Sequence, residues 1–150
     1  MTDNEEIYRR HAAELTRYAT GLVGPFDAAD VVSDACIRAF ESEGWAAVSD
    51  HRAYLYRTVL NVATDHHRRT LARRVRELKT AGPASVEQAY VDVDVLAAVA
   101  RLSVRQRAAV YLTYWMDLPA EAVGERMGIT AGAVKRHLAR ARTRLREELS

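Results

Sequence analysis

The stretch Pro119–Arg140, PAEAVGERMGITAGAVKRHLAR, decides how this chain is read. Pro119 suits the first turn of a helix, and Gly128 suits the left-handed residue that stops one. Thr130 can cap a second helix that begins immediately after the turn. A short helix, a turn at Gly128–Ile129 and a longer basic helix make a helix-turn-helix layout. Val123, Met127, Ile129, Val134 and Leu138 supply a small core between the two helices. Gly124 faces their crossing and has no side chain to hold them apart. In the second helix Val134, Leu138, Ala141 and Leu145 form an inward stripe. The remaining arc turns Lys135, Arg136, Arg140, Arg142 and Arg144 outward. Ala131, Gly132 and Ala133 are small, so backbone amides at the positive helix end can approach phosphates.

Everything upstream also parses as helix. Ile7, His11, Leu15, Tyr18 and Leu22 recur at helical spacing over residues 5–22, and Gly24 and Pro25 end that helix. Asp27 can cap a second helix, with Val31, Val32, Ala35, Cys36, Ala39 and Phe40 on its buried face. Asp27, Asp30 and Asp34 fall on the opposite side at spacings of three and four. A loop around Gly44 follows, and Asp50 can cap a third helix from about Arg52. That helix runs into the basic tract HHRRTLARRVRELK and carries a polar stripe at Arg57, Asn61, Thr64 and Arg68. Asn61 sits in an otherwise apolar neighbourhood, where a carboxamide needs a partner. Tyr54, Tyr56 and Trp45 lie close to these arginines, an association that suits unstacked nucleic-acid bases. Taken singly, each ring reads as core.

Thr80–Asp92 contains Gly82, Pro83 and Ser85 and reads as a linker that reaches about 40 Å when extended. Val93–Ala100 makes a short helix, and Ser103–Gln106 is a capping box that starts the next, through about Met116. The fold class expected is all-α, with two small helical domains, 1–79 and 93–150, joined by a flexible linker at 80–92.

Composition narrows the function classes. Residues 1–50 carry four arginines against ten acids; residues 51–80 carry eight basic residues against two acids. Such asymmetry assigns different partners to different segments, with nucleic acid suited to the basic ones. Arginine supplies 20 of the 22 basic residues, and its planar fork matches phosphate and guanine. One cysteine, Cys36, permits no internal disulfide. No apolar run approaches the roughly 20 residues that span a bilayer, and the acidic start lacks a signal-peptide core. A cytoplasmic protein is expected. His66 and His67 point apart on a helix, and no phosphate loop, nucleophile elbow or His-Glu-x-x-His run occurs. No enzyme activity, metal or cofactor is expected.

Three stretches in order carry a family resemblance. DAADVVSDACIRAF (27–40) resembles region 2.2 of RNA polymerase sigma factors of the extracytoplasmic-function (ECF) group. RAYLYRTVLNVATDHHRR (52–69) resembles their regions 2.3–2.4. LSVRQRAAVYLTYWMDLPAEAVGERMGITAGAVKRHLARARTRLRE (102–147) resembles region 4. Pro119 stands where a capping serine is common in the family, and Ala133 replaces a typical threonine or serine near the base-contacting end.

The resemblance implies a promoter-specificity subunit. Asp27, Asp30 and Asp34 would dock on the clamp helices of core RNA polymerase. The loop Glu43–His51 with Trp45, and Arg57, Asn61, Thr64, Arg68 and Arg69, would hold the melted −10 element with a base flipped out. Thr130, Ala131, Ala133, Lys135, Arg136, Arg140 and Arg142 would read the −35 duplex in its major groove. An anti-sigma factor is implied as a further partner. The alternative is a sigma mimic that sequesters such a factor without touching DNA; a dimeric helix-turn-helix repressor would leave residues 1–80 without a role.

Overall fold

Apolar side chains at helical spacing fold into seven α-helices in a computed structural model that describes residues 3–81 and 94–149. They are α1 (Asp3–Val23), α2 (Ala28–Glu41), α3 (His51–Ala81), α4 (Asp94–Ala100), α5 (Val104–Val110), α6 (Ala120–Met127) and α7 (Ala131–Leu149). Most of the linker expected at 80–92 lies outside the described residues; its first two residues continue α3.

The first three helices pack on one another through the stripes expected of them. Leu15, Tyr18 and Leu22 of α1, Val31, Val32, Ala35 and Ala39 of α2, and Leu55, Val59 and Val62 of α3 are buried. Each fully buried Leu or Val among them contributes about 1.5–3 kcal/mol. Cys36 is buried among them, and burial pushes its thiol pKa up to about 11. Between α2 and α3 a short 3-10 turn, Trp45–Ala47, turns Trp45 inward. Asp50 accepts a hydrogen bond from the Ala53 amide at 3.0 Å and so caps α3.

The expected capping role of Asp27 is not met. Its carboxylate makes no bond to the start of α2 and instead lies 3.2 Å from His66 Nε2 on α3. A ring nitrogen on a neighbouring helix takes the place of a local amide as its partner.

In the second half the capping box forms as read. The Ser103 hydroxyl accepts from the Gln106 amide, and the Gln106 side chain accepts from the Ser103 amide, both at 3.1 Å. The helix expected through Met116 changes character on the way. After Val110 it widens into a π-helical turn, Tyr111–Trp115, and ends at Asp117, whose φ of 54° is left-handed. Such a conformation costs a non-glycine residue about 1 kcal/mol or more. It lets Leu118 bond back to Leu112 at 3.1 Å and aims the chain at Pro119.

The two halves touch. Arg107 of α5 donates to the carbonyl of Leu22 at the end of α1, at 2.6 Å. Tyr111 packs against Gly21, where an added Cβ would come within 3.1 Å of its ring. Tyr18 lies between, with its ring centroid 4.8 Å from Tyr56 and 5.4 Å from Tyr111. Beside this stack, Glu14 is tied to Arg52, His11 and Tyr56. Burial alone would raise its pKa, but those bonds outweigh burial and hold the carboxyl below its ordinary value.

Tyr18 is fully buried, and its hydroxyl has no hydrogen-bond partner among the described residues. Leaving such a group unsatisfied costs about 1–3 kcal/mol. Tyr18→Phe is therefore expected to be at least as stable as the parent in urea unfolding. A loss of more than about 1 kcal/mol would reveal a hidden partner for the hydroxyl.

Candidate nucleic-acid interface

The turn between α6 and α7 is fixed by three local facts. Gly128 adopts φ 72° and closes α6. Gly124 abuts the turn so closely that a Cβ there would sit 2.5 Å from the Ile129 carbonyl oxygen. The Thr130 hydroxyl accepts from the Ala133 amide at 3.1 Å and caps α7. Val123, Met127, Val134, Leu138 and Ala141 are buried as the sequence requires, while Leu145 is half-buried. Lys135, Arg136 and Arg140 are exposed along the outer face of α7. Arg142 is also exposed and donates to the Tyr114 hydroxyl at 3.2 Å. Ala131 and Ala133 are half-exposed at the helix start, leaving room for a phosphate against the backbone. Thr130 is committed to its cap.

The stripe on α3 is placed differently from the expectation. Arg57 does not face open solvent: it donates to the Glu125 carbonyl of α6 at 2.8 Å, and its side chain lies against Gly128. Asn61 needs no buried partner, because it is exposed. It borders a cavity of about 400 Å³ that Arg57, Arg105, Met127 and Gly128 also line. Thr64 turns its hydroxyl back onto the Leu60 carbonyl at 2.8 Å. Arg68 and Arg69 are exposed.

Trp45 is a correction. The ring is only 6% exposed, and it packs against Phe40, His51 and Tyr54. Its indole N–H donates to Asn4 at 2.9 Å. The ring is enclosed and its polar edge is used, so it offers no free face to a base. Tyr56 is buried as well, beneath the Arg126 guanidinium at 4.6 Å from the ring centre.

On α2, Asp30 and Asp34 face solvent. Asp34 pairs loosely with Arg38 at 3.9 Å, and Asp27 is engaged by His66. Ile37, one turn on from Asp34, is 54% exposed, which leaves an apolar spot beside the acids. Sequence reading missed it because the helix is otherwise cleanly amphipathic. Trp115, 76% exposed on the π-helical turn, was missed as well; its rim position depends on the widened turn.

Comparison with known proteins decides the family. Residues 7–74 match the family model of Sigma-70 region 2, and residues 92–145 match that of Sigma-70, region 4. The chain belongs to the ECF group of RNA polymerase sigma factors. It is 35% identical over 155 residues to the RNA polymerase sigma-E factor of Streptomyces antibioticus, covering 97% of this chain and 83% of that one. It is 34% identical over 149 residues to the ECF RNA polymerase sigma factor SigM of Mycobacterium tuberculosis, covering 94% and 74%. Two solved structures share the fold. The sigma factor RpoE, solved with the anti-sigma factor NepR from Bartonella quintana, superposes with a TM-score of 0.65 at 23% identity, over 99% of this chain and 98% of that one. CnrH, in complex with the cytosolic domain of CnrY, gives 0.63 at 22%, over 97% and 86%. As an ECF sigma factor the chain serves transcription initiation by directing RNA polymerase to promoters; sigma factors are regulators of transcription and not, in general, enzymes. No described helix is long and apolar enough to cross a membrane.

The α6–α7 turn yields a paired prediction. Gly124→Ala forces a Cβ onto a backbone oxygen and is expected to cost about 1–3 kcal/mol. At Gly132 the nearest atoms to a Cβ are the Arg136 and Thr130 side-chain tips at 3.8–3.9 Å. Gly132→Ala is expected to be neutral or stabilising by up to about 1 kcal/mol. Thermal unfolding of both variants reads the difference; equal effects would refute the steric account.

Proposed function

We propose that this ECF sigma factor divides promoter recognition between its halves. Residues 1–79 bind core polymerase and the melted −10 element, residues 80–92 connect, and residues 93–150 read the −35 duplex. The observation that carries the reading is the outer face of α7. Lys135, Arg136 and Arg140 stand free on a helix that is anchored by Val134, Leu138 and Ala141 and preceded by a tight glycine turn. Ala131 and Ala133 leave the helix start open to phosphate, and Arg142 extends the basic edge.

Core polymerase docks on the exposed acids Asp30 and Asp34 of α2, with Ile37 as the apolar centre of that contact; Asp27 sits at its margin, shared with His66. The strand-binding surface is Arg57, Asn61, Arg68 and Arg69, with Thr64 shaping the α3 backbone. Trp45 supports that surface from beneath. Arg57 becomes available only when α6 withdraws from it, so −10 binding is coupled to separation of the halves. The chain works in the cytoplasm with polymerase, performs no chemistry and uses no cofactor. An anti-sigma factor regulates it, a reading supported by the complexes in which its structural neighbours were solved. A mimic that only sequesters such a factor has no use for the free arginines of α7.

In vitro transcription with purified core enzyme tests the reading. A promoter library that gives no transcript dependent on this chain overturns it. Two variants divide the roles. Arg136→Ala is expected to weaken −35 duplex binding by about 1–3 kcal/mol if the guanidinium meets a base edge; unchanged binding removes α7 from the groove. Asp30→Arg is expected to abolish core binding while the far-UV spectrum stays native. Retained affinity for core would make the acidic face merely solvated.

A further inference from the structure

A cleft of about 340 Å³ opens where α3 faces α5 and α7. Thr64, His67 and Arg68 line it from one half, and Arg105, His137 and Arg140 from the other. No carboxylate lines it. Some arginines elsewhere are matched with acids: Arg10 with Glu6, Arg38 with Asp34 and Asp65, Arg52 with Glu14, Arg101 with Glu148. Among the described residues Arg68, Arg105 and Arg140 have no ion pair or hydrogen bond. Both imidazoles are held toward their neutral form. Burial lowers the His67 pKa first, with Arg107, His66 and Arg74 adding to it; burial and then Arg105, Arg140 and Arg136 do the same at His137.

Three guanidinium groups that line one cleft repel each other, and no carboxylate among its lining residues offsets the repulsion. Guanidinium forks match phosphate oxygens bidentately. A single phosphate ester carries about 1.5–2 negative charges near neutral pH, so two linked phosphates come close to balancing three arginines. An extended strand presents its phosphates along a line, whereas these cations come from three helices around one opening.

We propose that this cleft binds a compact diphosphate, either inorganic pyrophosphate or the diphosphate arm of a nucleotide, held by Arg68, Arg105 and Arg140. The ligand touches both halves and therefore stabilises their contact. Arg68 and Arg140 are also the residues assigned to the −10 and −35 elements. The ligand and promoter DNA then exclude one another; that competition rests on the functional reading above, while the binding itself does not.

Isothermal titration of the full chain with sodium pyrophosphate, in metal-free buffer at fixed ionic strength, tests the site. We expect saturable one-to-one binding, about tenfold or more tighter than sulfate, as bidentate recognition by several arginines requires. Arg105→Ala is expected to weaken it about tenfold, and Arg140→Ala, at an exposed helix position that does not threaten folding, by a similar factor. Arg73→Ala removes the same charge from an exposed position on α3 outside the cleft and is expected to change affinity less than about twofold. ADP that binds as well as pyrophosphate identifies a nucleotide as the source; weaker ADP binding identifies the free ion. Absence of saturation, or an Arg73→Ala loss equal to that of Arg105→Ala, overturns the proposal. Promoter-dependent transcription by the parent chain, measured separately, succeeds or fails on its own terms.

Discussion

The Arg107 guanidinium holds this structure together. It donates to three backbone carbonyls: Leu22 at 2.6 Å, Ala100 at 2.6 Å and Leu102 at 3.0 Å. Leu22 lies in the last turn of α1, and Ala100 is the last residue of α4. Helix C-termini leave their final carbonyls without internal partners and carry the negative end of the dipole. One fork thus satisfies the ends of two helices that are remote in sequence. A lysine ammonium carries its three donors on one nitrogen and cannot spread them across carbonyls set around a planar fork. Burial pulls the pKa of Arg107 down, yet the guanidinium remains charged. Withdrawing the charge from water is tolerable only because all three directions of the fork are used.

The junction that Arg107 anchors is a mixture of ring faces and polar bonds. Tyr18 touches Tyr56 and Tyr111 across the halves, Arg126 covers Tyr56, and the Tyr56 hydroxyl meets both Glu14 and the Met116 sulfur. These contacts sit on one continuous core of buried residues that both halves supply, from Leu15, Tyr18 and Tyr56 to Ala108, Leu112 and Val123. The arrangement also fixes where the functional arginines point. With α5 pinned to the end of α1, α6 lies across Arg57, and α7 brings Arg140 to the cleft that Arg68 borders.

What the sequence made legible was local. The capping box at Ser103, the stop at Gly128, the close approach at Gly124 and the inward stripe of α7 each depend on residues within a few positions of each other. Periodicity and turn chemistry report such features directly. Three of the misreadings involve partners far along the chain. Trp45 was placed at the −10 strand, but Asn4, 41 positions away, takes its N–H and Phe40 closes on its ring. Asp27 was given a cap and instead meets His66. Its apolar neighbours suggest a buried partner for Asn61, but the residue is exposed and borders a groove under the second half. No window of sequence shows that α6 will lie over α3.

That overlap sets an energetic requirement on promoter binding. On the proposed reading the −10 and −35 elements are engaged together, and they are several helical turns of DNA apart. Halves that share one cleft cannot reach both. Separation breaks the charge-assisted bonds of Arg107 to Leu22 and of Arg57 to Glu125, each worth about 1.5–3 kcal/mol net. It also uncovers the Arg126–Tyr56 contact, worth about 0.5–2 kcal/mol. Opening at a net cost of about 4 kcal/mol would leave roughly one molecule in a thousand open. Core polymerase need only bind the open form better by that amount to reverse the balance, a modest share of what a standard protein interface supplies. On that reading the contacts to α6 cover Arg57, and with it part of the −10 surface, in the free chain, while the outer face of α7 stays open.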